Sequence, residues 1–159
     1  MTKRYKLIPR TLIFITRDDH VLLIKGAPDK PLWANLYNGL GGHVERGEDV
    51  LTAARRELCE ETGLVIADLW ICGVITIDTG KEVGIGVYVL RGETSQGDLR
   101  PSKEGTAEWI PCNRVPHLPL VEDLYTLLPR VLKATKSEPP FSAHYYQGQD
   151  GQLQIRFYM

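Results

Sequence analysis

The chain has 159 residues, 43% of them hydrophobic and 25% charged, which is enough for one domain with a core of its own. With 19 basic and 20 acidic residues the formal net charge is -1, which excludes the dense positive surface of a protein that works on a nucleic-acid polymer. Cys59, Cys72 and Cys112 form no CxxC pair, so a zinc or dithiol centre is not expected, and the sparse, odd count suits a reducing cytoplasm.

In chain order, the apolar run from Leu12 to Ile15 is far too short for a signal segment or a membrane span. Thr11 to Thr16 reads as a strand, 17–20 as a turn and Val21 to Lys25 as the returning strand of a hairpin. Gly26 to Leu36 holds two prolines and reads as a loop. The run Asn38-Gly-Leu-Gly-Gly-His43 needs backbone freedom that side chains would obstruct.

Asp49 to Thr62 is helical, with Val50, Leu51, Ala54 and Leu58 on one face and Gly63 placed as the residue that ends it. Ile71 to Ile77 and Val83 to Leu90 form a second hairpin around 78–81. A polar loop follows over Gly92 to Gly105, then a short strand over Ala107 to Ile110. Val121 to Lys133 is a second helix, in which Pro129 predicts a kink or break. Phe141 to Gln147 and Leu153 to Tyr158 close the chain as a hairpin. The mixture predicts an α+β domain over 1–159, a mixed sheet with one helix on each side.

The first helix carries the chemistry. At about 100° per residue, Glu57, Glu60 and Glu61 fall within roughly a third of its circumference. Three like charges so close repel one another, and they stand near a helix C-terminus, where negative charge is disfavoured. A cation relieves both costs: Arg56 in part, and a hard divalent ion such as magnesium for the rest. The bland reading of an isolated Glu-x-x-Glu-Glu is a solvated helix end.

A longer pattern shifts that balance. Gly42, Glu48, Arg56, Glu57, Leu58, Glu60, Glu61, Gly63 and Leu64 stand at fixed spacings within 42–64, without a departure, and this stretch resembles the Nudix box. The resemblance implies the Nudix fold, an α/β/α sandwich with a mixed sheet, and magnesium-dependent cleavage of a phosphoanhydride, with manganese as the alternative ion. It implies metal ligation by Glu57, Glu60, Glu61 and the Gly41 carbonyl, with Arg56 orienting the carboxylates. Glu48 either ties the loop to the helix or serves as an acid of the first turn. Glu104, in the loop before Trp109, corresponds to a glutamate that reaches the metal in similar enzymes; Glu108 and Glu93 are its rivals. The general base is Glu57 or Glu104.

The wider chain is similar to the MutT-type branch, which hydrolyses oxidised purine nucleoside triphosphates (8-oxo-dGTP-like) to monophosphate and pyrophosphate. The resemblance implies that Asn38 hydrogen-bonds the purine, that Asp123 (rival Glu122) faces its edge, and that Thr11 lines the same pocket. The plain alternatives are a turn role for Asn38 and a helix-start role for Asp123. Relatives often carry a stacking tryptophan where this chain has Val121, which leaves Trp33 or Tyr37 to stack. His43 is placed to touch a phosphate, and Tyr145, Tyr146 and Tyr158 read chiefly as sheet packing. The expected partner is a small nucleotide, with no membrane and no nucleic-acid polymer, for a monomer or homodimer. Two alternatives remain open: hydrolysis of another nucleoside diphosphate derivative (a nucleotide sugar, ADP-ribose or a dinucleotide), and a non-catalytic nucleotide sensor.

Overall fold

Alternation along the strands decides the layering. In a computed structural model describing residues 3–158, β1 (Lys6–Arg17) sends Ile13 and Ile15 to one core and Phe14 to another. Residues 1, 2 and 159 of the expected domain lie outside the described residues. β2 (His20–Gly26) divides likewise, Leu22 and Ile24 to the first core, Val21 and Leu23 to the second. Strands apolar on both faces must be covered on both. α1 (Val50–Thr62) covers the first face through Ala54 and Leu58; α2 (Leu124–Lys133) covers the second through Leu124, Leu127, Leu128 and Val131. The result is the expected α+β arrangement, a mixed sheet between two helices.

The sheet runs β3 (Tyr37–Asn38), β2, β1, β5 (Val83–Glu93), β4 (Trp70–Ile77), β7 (Phe141–Gln147) and β8 (Leu153–Tyr158), while β6 (Gly105–Pro111) pairs with β2. β1–β5 and β4–β7 are parallel and the other pairings antiparallel. β6 lies along one edge of β2, from His20 to Gly26. The other edge gives His20 and Val21 to β1 and Ile24 and Lys25 to β3. Between those contacts β1 and β2 part, and the glycine run fills the wedge: Thr11 N–H donates to the Gly42 carbonyl at 2.8 Å and Ile13 N–H to that of Leu40 at 2.7 Å.

β1 begins at Lys6 rather than Thr11, because β5 pairs with it from Lys6↔Val83 to Thr16↔Glu93. α2 begins at Leu124 rather than Val121, because residues 119–121 are held extended by exchange with Tyr37: its N–H donates to Pro119 and its carbonyl accepts from Val121, both at 2.9 Å. α2 also runs unbroken through Pro129. The proline removes only the bond to Tyr125, and both residues lie on the exposed side, where water can take the freed carbonyl. A 3-10 turn over Cys112–His117 was not expected. All three cysteines are free. Among the described residues no helix is long and apolar enough to cross a membrane.

Candidate active site

α1 is set by its ends. Asp49 caps the start, accepting from Thr52 N–H at 2.9 Å and from its hydroxyl at 2.6 Å. Gly63, at φ 80°, ends it and donates to the Cys59 carbonyl. The cap is therefore Asp49, which frees Glu48 for another task. Arg56 grips Glu48 with two parallel bonds, Nε to Oε2 at 2.7 Å and Nη2 to Oε1 at 2.9 Å, and Glu48 also accepts the Glu45 N–H at 3.0 Å. This bidentate pair ties the loop to the helix. The same guanidinium donates to Glu57 at 2.9 Å, to Glu60 at 3.4 Å and to the His43 carbonyl at 3.1 Å. Arg56 thus contacts three box carboxylates at once.

The three helix glutamates do not behave alike. Glu60 is exposed at the rim. Glu57 is mostly covered, its carboxylate packed against Gly42. Glu61 is buried, and its Oε1 accepts the Gly41 N–H at 3.3 Å. Burial pushes the Glu61 carboxyl up to about 8, with the charges of Glu57 and Glu104 adding to the effect. Glu104 reaches this place from the loop before β6, held by Lys30 at 2.7 Å. Of the other two acids considered, Glu108 accepts the Tyr37 hydroxyl at 2.8 Å, and Glu93 is exposed beside Arg91. Glu61, Glu104 and Gly41 share a small cleft of about 130 Å³.

Among the described residues no three His, Cys, Asp or Glu side chains converge into a metal cluster by themselves. The donor set nonetheless has the chemistry of a hard cation site. Glu61 is a buried acid that keeps its proton to about pH 8 beside two further carboxylates, so a positive ion there would relieve burial and repulsion together.

The glycines have a structural reason that the sequence reading did not supply. Gly41 has φ +141°, and a Cβ there would collide with the Thr11 carbonyl. A Cβ on Gly42 would lie 2.5 Å from a Glu57 oxygen. The run therefore lets β1, the loop and α1 meet.

The second cavity, about 350 Å³, opens on the α2 side of β1 and is lined by Thr11, Asn38, Val121, Asp123 and Tyr145 among others. Asn38 Oδ1 accepts the Gly39 N–H at 2.8 Å, which fixes the amide. Asp123 makes no capping bond at the start of α2; it accepts instead from the Tyr145 hydroxyl at 3.0 Å, and burial raises its pKa. Thr11 lines the cavity, but its hydroxyl is engaged with the Gly42 backbone at 3.3 Å, so it secures the glycine run. Tyr37 is buried and bonded to Glu108, whereas Trp33 is 43% exposed and faces both cavities. Trp33 also adopts φ 62°, a left-handed backbone that a bulky residue rarely takes. Sequence reasoning missed Arg10, Lys30 and the Tyr145–Asp123 bond, since none belongs to a motif. Arg10, Trp33 and Asn38 line both cavities, which therefore lie side by side.

A fold of this layering, with a box helix presenting its acids beside a glycine run, is that of the Nudix hydrolases, and the chain belongs to this family: the NUDIX domain model matches residues 6–131. Within the family it is a MutT-type pyrophosphohydrolase. It is 30% identical over 141 residues to the oxidized purine nucleoside triphosphate hydrolase of Danio rerio, covering 88% of this chain and 87% of that one. The MutT protein of Bacillus halodurans superimposes with a TM-score of 0.77 at 25% identity, over 95% of this chain and 97% of that one. The NAD-capped RNA hydrolase NudC of Pseudomonas aeruginosa is 29% identical over 116 residues, 72% of this chain but only 40% of that protein.

Proposed function

We propose that this enzyme hydrolyses a purine nucleoside triphosphate, with an oxidised purine preferred, to the monophosphate and pyrophosphate with magnesium. The observation that carries the reading is that the two cavities adjoin: a base-sized chamber lined by Asn38 and Asp123 shares Arg10, Trp33 and Asn38 with the Glu61 cleft. The similarity to the oxidized purine nucleoside triphosphate hydrolase of Danio rerio supports it.

In this reading Trp33 stacks on the base. The Asn38 amide and the Asp123 carboxyl read its edge, because each can donate and accept when Asp123 holds a proton. Magnesium, held by Glu57, Glu60, Glu61 and the Gly41 carbonyl with Glu104 alongside, would neutralise phosphate charge and polarise the anhydride. Glu57 or Glu104 accepts the proton of a water; its oxygen attacks phosphorus, and the bond to the bridging oxygen breaks as pyrophosphate leaves. Arg56 keeps the carboxylates in place.

The test is product release from 8-oxo-dGTP, ordinary dNTPs, ADP-ribose and a dinucleoside polyphosphate with magnesium, with Glu57→Gln and Glu60→Gln as controls. Pyrophosphate from the oxidised purine, lost in both variants, is expected. Turnover of ADP-ribose or the dinucleotide alone would discard the base assignment and keep the metal chemistry. Tight nucleotide binding without turnover of any substrate would point to a sensor.

A further inference from the structure

A nucleotide that fills both cavities must pass between them, and one of the three residues lining both is a cation. The other cation lining the cleft, Lys30, is committed to Glu104 at 2.7 Å, and Arg56 on α1 is engaged by Glu48, Glu57, Glu60 and the His43 carbonyl. Arg10 has no ion-pair or side-chain hydrogen-bond partner among the described residues. It is partly buried on β1, with Glu122 and Asp123 lining the chamber on one side and Glu61 and Glu104 lining the cleft on the other. A phosphate placed among four acids needs a counter-charge, and a guanidinium fork matches phosphate oxygens better than an ammonium does.

We infer that Arg10 binds the phosphate nearest the sugar, at the junction of the two cavities, and so holds both the triphosphate substrate and the monophosphate product. This rests on the proposed nucleotide reading. The phosphate next to the sugar is the one that a monophosphate keeps after cleavage. Arg10 therefore discriminates nucleotides from nucleosides without any metal, and it contributes more to binding than to turnover.

The experiment is calorimetric titration in EDTA at low salt with a purine nucleoside and its 5′-monophosphate, on wild type, Arg10→Ala, Arg10→Lys and, as a charge control on α2, Lys133→Ala. Wild type and Lys133→Ala should bind the monophosphate more tightly than the nucleoside. Arg10→Ala should bind the monophosphate about 10- to 100-fold more weakly, with nucleoside binding within about twofold, as for loss of a charged hydrogen-bonding partner. Arg10→Lys should recover part of the difference, and steady-state assays with magnesium should show a raised KM at near-constant kcat. Should Arg10→Ala fail to fold, Arg10→Gln, which keeps the stem without the charge, carries the same comparison. Unchanged monophosphate binding in these variants, or an equal loss of nucleoside and monophosphate, overturns the role of Arg10 while leaving the base chamber intact. Failure of wild type to bind either ligand overturns the chamber reading itself, and the role of Arg10 with it.

Discussion

The Tyr145 hydroxyl donates to Asp123 across 3.0 Å, joining β7 to the residue that precedes α2 on the wall of the larger cavity. Burial raises the Asp123 pKa, while the hydrogen bond from Tyr145 opposes the rise. Tyr145→Phe removes that opposition, so Asp123 should keep its proton to still higher pH. If the protonated carboxyl reads the purine, the pH at which KM begins to climb should move upward in Tyr145→Phe, and Asp123→Asn, whose amide donates and accepts at every pH, should flatten the profile with KM near the wild-type low-pH value. A KM profile identical to wild type in both variants would refute the assignment.

Metal-free stability should depend on Glu61. Its folded pKa, about 8, is above the ordinary value of 4.5. A raised carboxyl pKa means that the folded form is favoured below the unfolded pKa and penalised as pH climbs through the folded one. In EDTA, urea unfolding should show stability falling from pH 5 to pH 9 by an amount on the order of 4 kcal/mol from this group. Glu61→Gln should lose most of that slope. Magnesium should restore wild-type stability at pH 9 but not that of the variant.

Gly42→Ala should cost activity out of proportion to stability. The new methyl meets a Glu57 oxygen at 2.5 Å, and Glu57 is also fixed by Arg56. A fall in kcat of about 100-fold is expected with a stability loss of about 1–2 kcal/mol. Gly47→Ala is the contrast: its Cβ meets no heavy atom within 4 Å, and only φ +91° opposes it. Stability should drop by about 1–2 kcal/mol while kcat stays. Melting curves and steady-state rates on the pair decide the matter.

Arg56→Lys keeps the charge but not the fork. It cannot hold both Glu48 oxygens and still reach Glu57, Glu60 and the His43 carbonyl. A kcat loss of about 10- to 100-fold and a weaker apparent magnesium affinity are expected. Equal kcat and magnesium dependence in wild type and variant would remove Arg56 from its orienting role.

The part legible in the sequence was local. Alternation marked the hairpins, and helical spacing with Asp49 and Gly63 at the ends marked α1 to within a residue. The acids of the box could be placed on one helix face because helical phase is a property of the chain alone. Long-range pairing decided the rest. β1 gained five residues because β5 lies beside it, and the start of α2 was delayed by the exchange between Tyr37 and residues 119–121.

The division within the site follows the same line. Glu57, Glu60 and Glu61 are neighbours in sequence, yet only the approach of the glycine run makes one of them buried and another exposed. Arg10, Asn38, Asp123 and Tyr145 come from separate elements, and no spacing rule links them. What the sequence determined by itself was the α1 motif, since turn, cap and helix phase depend on residues a few positions apart. What only the tertiary structure decided was the cavity joined to it, because its walls meet where β1 and β2 part and where β7 faces the start of α2.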